Sequence, residues 1–169
     1  MKNKNIKKEK RGGKPEEVLD DHWRDLMMAG NAAGRAGAFD EALAHYLDGI
    51  KEAKRLFQLS RAQAPLNDSD PAPALVVASR NAAFMFSRQE NHQRAKAVMN
   101  DVMALFSEAI TDETTSLDLR MSCLQHINRA AAYLIEHMRA LGDSDAEIAR
   151  TVKTLQKTTD PSRMMMAQS

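Results

Sequence analysis

The sequence predicts an all-α fold. Apolar residues recur three and four positions apart through the long segments, the spacing of one buried helix face. Ala, Leu and Met are abundant while aromatic residues make up only 5% of the 169 residues, a composition that favours helix. There are only seven Gly and five Pro, and no stretch alternates β-branched with polar residues, so no strand is expected. This length suits one domain with a real core.

The segments follow in order. Residues 1–14 hold seven cations (Lys2, Lys4, Lys7, Lys8, Lys10, Arg11 and Lys14) against Glu9, a net of +6. The rest of the chain therefore sums to −5 within the overall +1. Such a segment buries too little apolar surface to order itself, so 1–14 is expected to be a disordered basic tail. The helical domain is expected over 15–159, and 160–169 as a flexible tail.

Pro15 opens the first helix, and Glu16 and Glu17 sit in its first turn, where acids suit the helix dipole. It runs to about Ala36 with Val18, Trp23, Leu26, Met27, Gly30 and Ala33 inward. The second helix starts near Phe39 and buries Ala42, Leu43, Tyr46, Leu47, Ile50, Ala53, Leu56 and Phe57. Pro65 to Pro71 reads as a loop, in which Asp70-Pro71 forms a helix cap and a first-turn proline. The third helix runs to about Gln89, with Leu75, Val76, Ala82, Ala83 and Phe86 inward.

After a turn at Asn91 and His92, the fourth helix reaches Thr111 on Ala95, Val98, Met99, Val102, Met103, Phe106 and Ile110. The fifth is expected from about Thr115 to Leu141, burying Leu117, Leu124, Ile127, Ala131, Leu134, Ile135 and Met138. Gly142 ends it. Ser144 caps a sixth helix with Ile148, Val152 and Leu155 inward, stopped at Asp160-Pro161.

The stretch Gly30-Asn31-Ala32-Ala33-Gly34-Arg35-Ala36-Gly37-Ala38-Phe39-Asp40-Glu41-Ala42-Leu43-Ala44-His45-Tyr46 describes two helices joined by a tight turn. Gly30, Ala33 and Ala42 let the backbones approach, Gly37 suits a left-handed helix end, and Phe39 and Tyr46 fill the groove. From Trp23 to Phe57 this resembles a tetratricopeptide repeat (TPR). The frame recurs 53 residues on, where Ala95 matches Ala42 and Glu90 falls at Gly37, so the second copy lacks its turn glycine. A third copy is fainter, with Gly142 near the matching place. The resemblance implies a TPR-like right-handed array of about three antiparallel helix pairs. It also implies a non-enzymatic module that binds a protein or peptide partner in its concave groove, as an adaptor or chaperone does.

One TPR subclass grips a ligand carboxylate with Lys and Asn from the first helix of each pair. Asn31 matches the first Asn and Asn81 the second. The Lys expected four residues before the first Asn is Met27 here, so Arg80 is the candidate replacement cation. Arg129, ahead of Ala130-Ala131-Ala132-Tyr133, is the third-pair candidate. Partner-binding candidates are thus Asn31, Met27, Asn81, Arg80 and Arg129.

No chemistry-bearing motif competes. No two of the five His stand three or four apart, and no phosphate loop or nucleophile elbow is present. No enzyme activity, metal or cofactor is expected. Cys123, the single cysteine, allows no internal disulfide and is expected to be packed. No apolar run approaches membrane-spanning length, and a cytoplasmic protein is expected. The partner is expected to be a protein, a peptide or a second copy of the chain. The basic tail suggests nucleic acid as the alternative, but it lacks interleaved aromatics. The eleven Met residues suit either core filling or an adaptable surface.

Overall fold

The computed structural model has six helices: α1 (Pro15–Arg35), α2 (Phe39–Arg61), α3 (Pro71–Arg88), α4 (His92–Thr111), α5 (Leu117–Leu141) and α6 (Asp145–Thr158). It describes residues 15–62 and 70–160, with side chains from residue 21 onward, and no strand occurs among them. The basic tail, most of the loop after α2 and the Met-rich C-terminal segment lie outside the described residues.

Each helix packs on its sequence neighbour, and in addition α3 packs on α5 and α4 on α6. In the first pair Gly34 faces Ala42, Gly30 faces Tyr46 and Gly49 faces Met27, the ordering of two antiparallel helices. Between pairs the alignment is parallel. Ser122 donates to Asp70 at 2.5 Å, and Ser87 lies 3.3 Å from Nδ1 of His137. Odd-numbered helices thus form one layer and even-numbered helices the other. Between the layers the core includes Phe57, Phe106, Leu75, Met99, Ile127 and Leu134, all nearly inaccessible. Phe57 and Phe106 stack with centroids 6.0 Å apart, joining α2 to α4.

The helix ends follow the local chemistry. Asp70 accepts from the Ala72 amide, Asn91 from Arg94, and Ser116 from Leu119. Ser144 and Glu147 form a reciprocal capping box. Because Ser116 is the cap, α5 starts at Leu117 and not at Thr115. Leu117, expected inward, is 50% exposed, and the buried stripe begins at Leu119. Buried Arg120 donates from Nε to the Ile110 carbonyl at 3.1 Å, satisfying an acceptor at the end of α4. Of the α6 residues expected inward, Ile148 and Leu155 pack on the core while partly exposed.

The three hairpin turns share one bonding pattern. The Ala38, Asn91 and Asp143 amides donate to the Ala33, Phe86 and Met138 carbonyls, at 3.0, 2.8 and 3.0 Å. One residue earlier, Gly37, Glu90 and Gly142 donate three residues back. This is the Schellman helix ending, which needs a left-handed residue. Gly37 and Gly142 supply it at φ 79° and 76°, and Glu90 adopts φ 58° without being glycine. The second turn has therefore lost the glycine but kept its conformation, with side-chain strain of about 1 kcal/mol. Glu90→Gly is expected to stabilise the protein by about 1 kcal/mol, and Gly37→Val to destabilise it by about as much or more. Paired thermal melts check both signs.

Arg61 ties the end of α2 to the end of α4, pairing with Glu108 at 2.9 Å and Asp112 at 2.8 Å. The Thr114 hydroxyl and amide, followed by Arg61, hold the Asp112 carboxyl down to about 2. A carboxyl depressed on folding stabilises at neutral pH and loses that contribution as pH falls from the ordinary aspartate range through about 2. Asp112→Asn should therefore flatten the acid limb of the melting temperature against pH and leave its shape above the aspartate range unaltered.

Cys123 is fully buried, and desolvation, then the nearby Asp70 carboxylate, pushes its thiol up to about 12. It is a packing residue, as the sequence suggests.

Candidate functional site

Between α1 and α3, over α2, lies a cavity of about 370 Å³. Asn31, Gly34 and Arg35 come from α1, Phe39 and Tyr46 from α2, and Arg80, Asn81, Phe84, Met85 and Arg88 from α3. Small residues open it. With no side chain at Gly30, the Tyr46 ring closes against α1. The Tyr46 hydroxyl then donates to Oδ1 of Asn31 at 2.8 Å, fixing that amide at the cavity wall. Burial raises the Tyr46 hydroxyl above its ordinary value, with the Arg35 charge acting in the opposite direction.

The structure brings together three residues expected at a groove, Asn31, Arg80 and Asn81. Two others stand elsewhere. Met27 is only 6% exposed and packs against Gly49 in the core, because it lies on the α1 face turned to α2. It is a core residue and not a groove residue. Arg129 is exposed on α5, one turn before Tyr133, and does not line the cavity. The α5 helix is nonetheless connected, since the Arg80 guanidinium sits 5.2 Å from the Tyr133 ring centroid.

Sequence reading missed Arg35, Phe84 and Arg88. For Phe84 and Arg88 the signal was their i+4 and i+8 spacing from Arg80, which places three exposed side chains along one helix face. Arg88 lies 4.5 Å from the Phe39 ring centroid and 6.0 Å from that of Phe84. No acidic residue lines the cavity. Among the described residues, no ion pair engages Arg35, Arg80 or Arg88. Nearby Asp40 accepts from Gln89 at 2.7 Å.

The surface beyond the cavity has a pattern of its own. Among the described residues, the exposed large apolar side chains are Met28, Val77, Phe84, Leu117 and Met121. All belong to α1, α3 and α5, and none of them to α2, α4 or α6. Among the described residues the methionines divide: Met27, Met85, Met99, Met103 and Met138 fill the core, while Met28 and Met121 face out.

A second cavity, about 490 Å³, lies between α4, α5 and α6 over Met103, Leu134 and Met138. Its one acid, Glu147, is committed to the cap of α6, and no residue expected from the sequence reaches it. Among the described residues, no group of three His, Cys, Asp or Glu is placed to hold a metal ion. Nor is any described helix long and apolar enough to cross a membrane.

Comparison with known proteins finds no matching curated protein and no matching solved structure. A family model does match, over residues 21–167, which take in nearly all of the helical body. With so much of its length matched, the chain belongs to the family described as "Protein of unknown function (DUF2753)".

Proposed function

We propose that this chain is a non-enzymatic, TPR-like scaffold that binds a segment of a partner protein across the face formed by α1, α3 and α5. The observation that carries this reading is that, among the described residues, the exposed large apolar side chains fall on those helices. Large apolar side chains left exposed on one layer offer area that a partner can bury. Asn31, Arg80 and Asn81 add polar groups at a cavity on the same layer, which supplies orientation as well as area.

The test uses affinity capture from the native host with the full chain. Proteins retained by the wild type should be lost with Met28→Glu and Val77→Glu and kept with Ala104→Glu, an exposed position on α4. Retention that is indifferent to the α1 and α3 substitutions would refute the reading. Asn31→Ala is expected to weaken capture by about 0.5–1.5 kcal/mol and, through the lost Tyr46 bond, to lower stability by about 1 kcal/mol. A titration and a melt on the same variant separate the two contributions.

A further inference from the structure

We propose that the cavity between α1 and α3 receives side-chain carboxylates of an extended acidic segment. Arg80 and Arg88 each take one acid, and Phe84 takes an apolar residue between them. The inference rests on the reading of the α1, α3 and α5 face as protein-binding, and names the chemistry that its partner must carry.

The wall offers hydrogen-bond donors without a balancing acid. Arg35, Arg80 and Arg88 are exposed and lie in no ion pair among the described residues. Tyr46 occupies Oδ1 of Asn31, so the remaining face of that amide is its NH2 group, again a donor. The cavity therefore suits an anion, and carboxylates fit guanidinium edges in pairs of parallel hydrogen bonds.

Two of the guanidiniums are held in advance. Arg88 lies over Phe39 at 4.5 Å and Arg80 over Tyr133 at 5.2 Å. Stacking uses the flat face of a guanidinium and leaves its edge donors for a ligand. Less side-chain freedom remains to be lost on binding.

Spacing sets the form of the ligand. Arg80 and Arg88 are eight residues apart on α3, or about 12 Å along the axis. Two carboxylates can each meet one of them. An extended chain covers that distance in about four residues. Phe84, midway and 54% exposed, meets whatever lies between the two acids. The expected ligand has two acids three or four positions apart flanking an apolar residue.

Phosphate chains fit less well. Exposed Met28 and Val77 offer aliphatic surface, suited to peptide side chains more than to stacked bases.

A random displayed peptide library should be selected against the full chain, and enriched peptides remade synthetically with amidated C-termini. Enrichment of the acid, apolar, acid pattern is the expected result. Arg80→Gln and Arg88→Gln should each weaken binding about tenfold or more, with melting temperatures near wild type and Arg150→Gln without effect. Changing the peptide's acids to amides should weaken it as much, and should add little once the arginines are gone.

Enriched peptides without acids, still dependent on Met28 and Val77, would overturn the carboxylate inference and leave the protein-binding reading intact. An empty selection would overturn both. Binding lost on amidation would assign the arginines to a chain terminus, against the side-chain proposal. Arginine-dependent binding of a single-stranded oligonucleotide, with none for acidic peptides, would replace the proposal with a nucleic-acid site.

Discussion

Phe106→Ala is expected to be the most damaging single truncation, costing about 3–5 kcal/mol and lowering the melting temperature by roughly 10 °C. The side chain is fully buried on α4 and stacks on Phe57 of α2, with ring planes 14° apart. Removing it loses the transfer energy of the ring and leaves a void between two hairpins. Neighbouring helices cannot collapse into that void without breaking the Arg61 pairs with Glu108 and Asp112 a turn away. Phe57 also loses its stacking partner, worth about 1 kcal/mol beyond area. A chemical denaturation curve checks the size. A loss below about 1 kcal/mol would mean that the two hairpins do not share this core.

Two glycines in the same seam are expected to respond with opposite signs. A Cβ at Gly30 would lie 2.6 and 2.8 Å from two carbons of the Tyr46 ring. That ring is 4% exposed, and Asn31 holds its hydroxyl, so it cannot swing aside. Gly30→Ala must instead part α1 from α2, costing about 2 kcal/mol even after the helix-propensity gain of about 1 kcal/mol. At Gly49 the tight neighbour is the Cε methyl of Met27, the far end of a flexible side chain. Met27 can rotate away, while the next atom, the Ala78 Cβ, stands at an ordinary 3.7 Å. Gly49→Ala should therefore be neutral or stabilising by up to about 1 kcal/mol. Melts of the two variants decide it. Equal losses would mean that the seam is tight along its whole length, against the contact geometry.

The cavity also depends on this seam. Tyr46 is both the ring under Gly30 and the donor that orients Asn31. Gly30→Ala is thus expected to weaken binding at the Arg80, Phe84 and Arg88 face as well as stability, whereas Gly49→Ala should leave binding unaltered.

What the sequence determined by itself is local. Apolar spacing located the six helices, and the caps at Asp70 and Ser144 marked two helix starts, because caps and periodicity act within one or two turns. The seam of Gly30, Ala33, Ala42 and Tyr46 was legible because short connections bring sequence neighbours together. Carrying the repeat frame from the first hairpin to the second picked out Asn31 and Asn81, which line one cavity.

Tertiary structure decided how the hairpins meet. Periodicity put Met27 inward while the repeat frame put it in the groove, and the packing of α1 on α2 decided for the core; exposed Leu117, at the start of its helix, was read as core because periodicity does not show where burial begins. Only the stacking of hairpins set Arg88 against Phe39, 49 residues away in sequence, and Arg80 against Tyr133, 53 away. Such pairs depend on the rotation and offset of one hairpin over the next. Those are set by the summed packing of many side chains, a quantity that no single helix carries in its own sequence.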